Sequence, residues 1–130
     1  MKNIFLLLTV ITIGLPFIAC SQGPDCKSFK TGQFELVDTV NNRRYFIERN
    51  DSIQLEYSFQ SIDTTRFRVK WTSDCEYSLT IISGRQQIVD FYKDKKLIIN
   101  ILETYPDSYK FSSHLDGDSR TRYQILKRIK

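Results

Sequence analysis

The feature that most constrains the fold is a two-residue alternation of apolar and polar side chains. It runs through residues 53–60, where every odd-numbered residue is apolar, and a similar alternation runs through residues 65–71. This period is typical of a β-strand with one face toward a core and the other toward solvent. The sequence therefore predicts two strands whose odd-numbered residues face inward. Tyr57, Phe67 and Trp71 are candidate core aromatics, with the lining of a ligand cavity as the less favoured role.

Looser alternation marks six further strands, separated by residues that favour tight turns. These strands are marked by Phe34 and Leu36, by Tyr45 and Ile47, by alternate residues from Cys75 to Ile81, by residues 97–105, by Tyr109, Phe111 and Leu115, and by Thr121, Tyr123 and Ile125. In the last of these strands the odd-numbered residues are again expected to face inward. A short helix is predicted over residues 86–92, where Ile88, Val89 and Tyr92 would share one face.

Eight short strands joined in sequence order predict an all-β fold, an antiparallel meander. A meander of this length removes its exposed edges by closing on itself. We therefore expect residues 31–130 to form a single small lipocalin-like β-barrel with one short helix. An eight-stranded barrel is either filled by side chains or holds one small ligand, and the number of inward Phe and Tyr residues favours the filled or nearly filled version.

The N-terminal segment predicts export. Lys2 precedes an apolar run that Gly14 and Pro16 interrupt before it reaches the roughly 20 residues of a membrane-spanning helix. The run ends in Phe-Ile-Ala-Cys at residues 17–20, which resembles the lipobox of bacterial lipoproteins, in which the cysteine is lipidated and becomes the new N-terminus. We expect residues 1–19 to be a lipoprotein signal peptide. Cleavage by ordinary signal peptidase, leaving Cys20 as a free thiol, is the alternative.

The lipobox resemblance also implies a destination. In lipoprotein sorting an Asp after the lipidated cysteine favours retention in the inner membrane, and here that residue is Ser21. We therefore expect a protein anchored in the outer membrane by acyl chains such as palmitate on Cys20, facing either the periplasm or the cell surface. Residues 20–30 would be the lipidated N-terminus and a tether.

Lipidation of Cys20 leaves two cysteines to be assigned. Cys26 and Cys75 would then lie together in an oxidising compartment, and we expect them to form a disulfide. Such a bridge would close a loop of about 50 residues and contribute about 4 kcal/mol in the chain-entropy model. A redox or metal site is the weaker alternative, because neither a Cys-x-x-Cys motif nor a His cluster accompanies the pair.

The charge balance argues against a nucleic-acid ligand. Without the first 19 residues, 18 basic residues face 15 acidic ones, and most are interleaved along the chain. Two local clusters are candidates for contact with anionic lipid headgroups, although a merely solvated surface is favoured. These clusters are Lys93, Lys95 and Lys96, and Lys127, Arg128 and Lys130.

Catalytic and metal-binding patterns are weak. His114, the only histidine, is predicted to face outward, and no Asp is placed by sequence to complete a triad with it and Ser112 or Ser113. Asp116 and Asp118 are better explained by a turn than by a calcium loop. We expect a monomeric protein with no catalytic residues, no metal and no cofactor, and a small hydrolase that uses the Ser-Ser-His cluster is the remaining alternative.

Two segments around the cysteines resemble a known family. Residues 26–34 (CKSFKTGQF) and residues 69–79 (VKWTSDCEYSL) are similar to a family of small exported bacterial lipoproteins of unknown function, over most of the mature chain. Members are sometimes labelled as DNA topoisomerase IV. This chain does not support that label, because it has neither a nucleotide-binding loop nor the context of a catalytic tyrosine. The resemblance implies an architecture and no known chemistry.

The sequence thus predicts a non-enzymatic envelope lipoprotein. A membrane-tethered β-barrel would bind a partner protein or a small apolar ligand, and no nucleic acid. The alternative is an inhibitor of a wall-degrading enzyme, by analogy with other small envelope lipoproteins.

Overall fold

The computed structural model describes residues 23–130, so the predicted signal peptide and Cys20 lie outside the described residues. The described chain begins with a 3-10 helix, Lys27–Phe29, and contains one α-helix. Its elements in chain order are β1 (Gly32–Asp38), β2 (Arg43–Arg49), β3 (Ile53–Ser58), β4 (Thr64–Trp71), β5 (Glu76–Ser83), α1 (Gln86–Tyr92), β6 (Leu97–Thr104), β7 (Ser108–Leu115) and β8 (Arg122–Arg128). Within residues 23–130 no helix is long and apolar enough to cross a membrane.

The eight strands form a closed barrel. Each strand pairs antiparallel with the next one along the chain, and β1 completes the ring by pairing with β8, where Leu36 lies opposite Leu126. The predicted all-β meander, its closure into a small barrel and the short helix over residues 86–92 are therefore confirmed. Within residues 23–130 this closure leaves no edge strand on which another chain could add.

The two ends of the barrel differ. We call the end that carries the β2–β3, β4–β5 and β6–β7 turns the closed end, because the 3-10 helix lies there and Cys26 and Phe29 are buried. The disulfide between Cys26 and Cys75 joins this segment to the β4–β5 turn. The tether predicted from the sequence thus contains residues that belong to the barrel core. The opposite end, where α1 lies, is called the mouth.

Arg128 covers the closed end from the last strand. Its guanidinium lies 5.0 Å from the ring of Phe29 and 5.1 Å from that of Phe34, and it donates hydrogen bonds to the backbone carbonyls of Thr31 and Ser28. Gly32 permits this approach, because a Cβ there would lie 2.5 Å from Arg128 Nη1 and the residue has φ +139°. Only glycine adopts such a backbone conformation readily.

Strand pairing fixes which residues face inward. Directly opposed residues of an antiparallel pair point to the same side of the sheet. On β4 the inner residue Phe67 lies opposite Gln54, so the even-numbered residues of β3 face the interior. On β8 the inner residues are Arg122, Gln124 and Leu126 for the same reason. The predicted odd-numbered inner face is correct for β4 and β5 but wrong for β3 and β8.

Candidate functional site: the barrel cavity

The barrel encloses a cavity of about 810 Å³ that reaches the mouth. The expectation of a filled interior is therefore wrong, because β3 and β8 direct polar side chains inward where large apolar ones were expected. Much of the wall from β1, β2 and β4 to β8 is apolar, with Leu36, Ile47, Phe67, Leu79, Ile99, Phe111 and Leu126. The polar lining comes mainly from Tyr45, Gln54, Glu56, Ser58, Thr65, Ser113, Arg122 and Gln124.

A buried arginine lies between the cavity and the closed end. Arg49 is 4% exposed and donates hydrogen bonds to the hydroxyls of Tyr77 and Tyr109 and to the backbone carbonyl of Phe29. Its guanidinium also lies 4.9 Å from the ring of Phe34, an arrangement that favours a cation. A buried charge is tolerated only when hydrogen bonds replace its hydration, and here two phenols and a backbone carbonyl contribute to doing so.

Gln54 connects this arginine to the cavity. Arg49 Nη1 donates to Gln54 Oε1 at 3.1 Å, which fixes the orientation of the amide. Gln54 Nε2 then donates to Glu56 Oε1 at 2.9 Å. Because Gln54 and Glu56 alternate with outward residues, both lie on the inner face of β3. The result is a chain of hydrogen bonds that ends at a carboxyl group in the cavity wall.

The Glu56 carboxyl lies in an enclosed environment. Burial raises its pKa, and the hydrogen bond from Gln54 and the positive charge of Arg49 only partly offset that effect. The side chain is partly exposed by accessible surface because it borders the cavity. No cation of the described residues 23–130 lies within 4 Å of this carboxyl group. Among residues 23–130, an ionised Glu56 thus forms no direct ion pair.

Helix α1 brings an aromatic side chain to the cavity. The ring of Tyr92 lies edge-on to that of Phe67, with centroids 5.5 Å apart. Burial raises the pKa of Tyr92, and the negative charge of Glu56 raises it further. Ile88 of the same helix also lines the cavity, so Ile88 and Tyr92 share one face of α1, as the sequence predicts.

The mouth carries charges that largely pair with one another. Arg85 is bonded to Asp63 at 2.7 Å, and Arg120 is bonded to Asp118 at 2.7 Å. The hydrogen bonds from Arg120 are the main reason why the pKa of Asp118 is lowered to about 2. Asp118 is thus engaged in a turn, as predicted, and residues 23–130 contain no group of side chains that could hold a metal ion.

The candidate aromatics occupy three different environments. Phe67 is buried in the core and lines the cavity. Trp71 packs against the core near the closed end, 4.5 Å from Tyr77 and with Lys30 Nζ 5.0 Å from its ring. Tyr57 lies on the outer face of β3, since its paired neighbours Phe46 and Thr64 also belong to outward positions.

The basic clusters lie at opposite ends of the barrel. Lys93, Lys95 and Lys96 follow α1 and are exposed at the mouth, whereas Lys127 and Lys130 are exposed at the closed end. Arg128 is engaged with the 3-10 helix segment, as described above. A flat anionic surface can therefore meet only one of the two clusters at a time.

The serines and the histidine of residues 112–114 alternate between the two faces of β7. Ser112 and Ser113 are both 8% exposed, and within residues 23–130 neither is hydrogen-bonded to His114. Ser113 points into the barrel, while Ser112 and His114 alternate with it along β7. His114 itself borders the mouth of the cavity.

The residues that sequence analysis missed are the polar ones inside the barrel: Arg49, Gln54, Glu56, Arg122 and Gln124. Polar residues of an alternating strand normally mark the outer face, so the alternation predicts outward positions for those of β3 and β8 and indicates no role for Arg49. The available signal was the pairing itself. Tyr45 and Ile47 fix the inner parity of β2, and a short turn from Arg49 to Ile53 transmits that parity to even positions on β3.

Comparison with family models, with curated proteins and with solved structures finds no match for this chain.

Proposed function

We propose that the protein is a non-enzymatic binding module that takes a small molecule into its barrel and is tethered to the outer membrane through Cys20. The observation that carries the proposal is the cavity of about 810 Å³, which is closed at one end and open at the other. This volume lies within the range of small-molecule sites, which are mostly apolar with a few placed polar groups. The lining has that composition.

The position of the N-terminus supports a defined orientation on the membrane. Cys26 is buried at the closed end, and Cys20 precedes it by six residues, which span at most about 22 Å at roughly 3.3–3.6 Å each. A lipid on Cys20 would therefore hold the closed end toward the bilayer. The mouth would face the aqueous compartment, from which the ligand would enter.

The test compares two neighbouring residues of β1. Leu36 lines the cavity, whereas Val37 is on the outer face and 49% exposed. Leu36→Trp should occupy cavity volume, and Val37→Trp adds the same side chain outside. We expect the neutral apolar dye N-phenyl-1-naphthylamine to increase its fluorescence with the wild-type barrel and with Val37→Trp, and to lose at least ten-fold in affinity with Leu36→Trp. Equal dye binding by both variants would contradict a site inside the barrel.

A second candidate function is binding of a partner protein at the mouth. It is supported by large apolar side chains that the mouth loops expose, with Val40 at 91% and Ile62 at 102% exposed, and by Phe59 and Phe91 nearby. Crosslinking in intact cells, followed by mass spectrometry, should then capture one partner with wild-type protein and lose it with Ile62→Ser. A lysozyme inhibition assay tests whether that partner is a wall-degrading enzyme. Capture that is unchanged by Ile62→Ser would exclude the mouth as the interface.

A further inference from the structure

The four carboxyl groups that line the cavity differ in the ion pairs and hydrogen bonds that they form. Asp63 and Asp118 are paired with arginines, and Asp38 accepts three hydrogen bonds from the β1–β2 loop. Glu56 accepts one hydrogen bond, from Gln54, and no cation of the described chain lies within 4 Å. A carboxylate offers about four acceptor positions. Glu56 therefore retains unused acceptor capacity inside the barrel.

The hydrogen-bond chain behind Glu56 determines which groups it can bind. Arg49 can only donate, so Gln54 presents its oxygen to Arg49 and its amide N–H group to Glu56. The Glu56 carboxylate is consequently held as an acceptor on the side of the protein. The complementary group on a ligand is a donor, and a positively charged donor forms the strongest hydrogen bond with a carboxylate.

The surroundings of Glu56 also favour a cation attached to an apolar body. Glu56 lies opposite Thr65, so Phe67 is its diagonal neighbour on the inner face, and the Phe67 ring packs edge-on against that of Tyr92. Aromatic faces attract ammonium groups. Leu79 and Ile99 extend an apolar wall beyond Phe67. A ligand that places its charge at Glu56 can bury its hydrocarbon part against that wall.

We propose that the cavity binds an amphipathic amine, whose protonated nitrogen is held by the Glu56 carboxylate and whose apolar body packs against Phe67, Leu79 and Ile99. This assignment rests on the proposed function, because it names the ligand class of the same cavity.

The test uses two fluorescent probes that share a dansyl group and a five-carbon chain. Dansylcadaverine ends in a primary amine, and N-dansyl-6-aminohexanoate ends in a carboxylate. We expect the wild-type barrel to bind the amine at least ten-fold more tightly than the carboxylate at pH 8. Glu56→Gln should reduce the affinity for the amine probe by about ten-fold or more, which corresponds to about 1.4 kcal/mol. It should not reduce the affinity for the carboxylate probe. The control Glu48→Gln removes an exposed carboxylate from the outer face of β2 and should bind both probes as the wild type does.

Three outcomes would overturn the amine assignment. The carboxylate probe could bind at least as tightly as the amine, Glu56→Gln could retain the amine affinity, or neither dansyl probe could bind the wild-type barrel. The proposed function is judged separately, by the loss of N-phenyl-1-naphthylamine binding in Leu36→Trp. A ligand class without an amine is thereby distinguished from a barrel that binds no small molecule.

Discussion

At the scale of single residues, the barrel interior holds a cation and a carboxyl group that do not touch. Arg49 and Glu56 are separated by the amide of Gln54, which bonds to both. Each ionisable group is therefore stabilised by neutral partners rather than by an ion pair. This arrangement leaves the carboxyl group free to meet a ligand, and it makes both residues sensitive to substitution in ways that can be measured without a ligand.

Glu56 should give the folded protein a distinct pH dependence. Burial raises its pKa above the ordinary value of 4.5, so the folded state binds more protons than the unfolded state above that pH. Its stabilising contribution is present below the unfolded pKa and is lost as pH rises through the folded pKa. The positive charge of Arg49 lowers the pKa of Glu56 but only partly offsets burial, and the charge of Glu56 in turn raises the pKa of Tyr92.

Urea unfolding from pH 4 to pH 8 tests this prediction. Glu56→Gln should be more stable than the wild type at pH 8, and the difference should shrink as the pH falls toward 4. The exposed control Glu48→Gln should follow the wild type throughout. A Glu56→Gln variant that is less stable than the wild type at pH 8 would show that the ionised carboxylate stabilises the barrel.

Arg49→Ala should destabilise the protein by about 3 kcal/mol or more. The substitution removes hydrogen bonds to Tyr77, Tyr109 and Phe29 in a buried environment, and each buried polar group left unsatisfied costs roughly 1–3 kcal/mol. Arg68 offers a matched control, because it is exposed on the outer face of β4. Arg68→Ala should change the free energy of unfolding by less than about 0.5 kcal/mol. A loss below 1 kcal/mol in Arg49→Ala would refute a structural role for the buried arginine.

At the scale of elements, the alternation of apolar and polar residues predicts well where the strands lie. It predicts which side chains point into the barrel only when the interior is apolar. β4 and β5 face inward with their apolar residues, as the sequence predicts. On β3 and β8 the apolar side chains Leu55, Tyr123 and Ile125 lie outside, because pairing with β2, β4 and β7 fixes the opposite parity. A sequence pattern cannot report this inversion, since it depends on which neighbour each strand meets and on a cavity that accepts polar groups.

The 3-10 helix is the element that depends most on a covalent bond. The Cys26–Cys75 disulfide attaches it to the β4–β5 turn across 49 residues of chain. Replacing both cysteines by Ala should lower the free energy of unfolding by about 4 kcal/mol in the chain-entropy model. Urea denaturation of the double variant and of the reduced wild type provides the measurement. A loss under 1 kcal/mol in both samples would show that noncovalent packing of Phe29 and Arg128 alone holds the segment.

At the scale of the whole molecule, the two ends of the barrel carry different chemical groups. Its N-terminal segment, disulfide and buried arginine lie at the closed end, while α1, the paired charges and the cavity opening lie at the mouth. The overall barrel could be predicted because turns and alternation are local properties of the chain. The cavity could not, because it arises only when eight strands place their inner residues together.

The anchored protein should hold its mouth away from the bilayer. A fluorophore attached at Ile62→Cys, on a mouth loop, should be quenched less by spin-labelled lipids than one attached at Asp107→Cys, in the β6–β7 turn of the closed end. The measurement uses the lipidated protein in vesicles, with the native disulfide formed before labelling. Stronger quenching at residue 62 would reverse the orientation and place the cavity opening at the membrane.

The most direct test of a ligand-binding barrel is native mass spectrometry of the protein released gently from its own envelope. The wild type and Val37→Trp should each carry one bound small molecule in addition to the mass of the lipidated chain. Leu36→Trp should lose that molecule while keeping its fold. A wild-type protein with no bound molecule, or an adduct that persists in Leu36→Trp, would contradict the account.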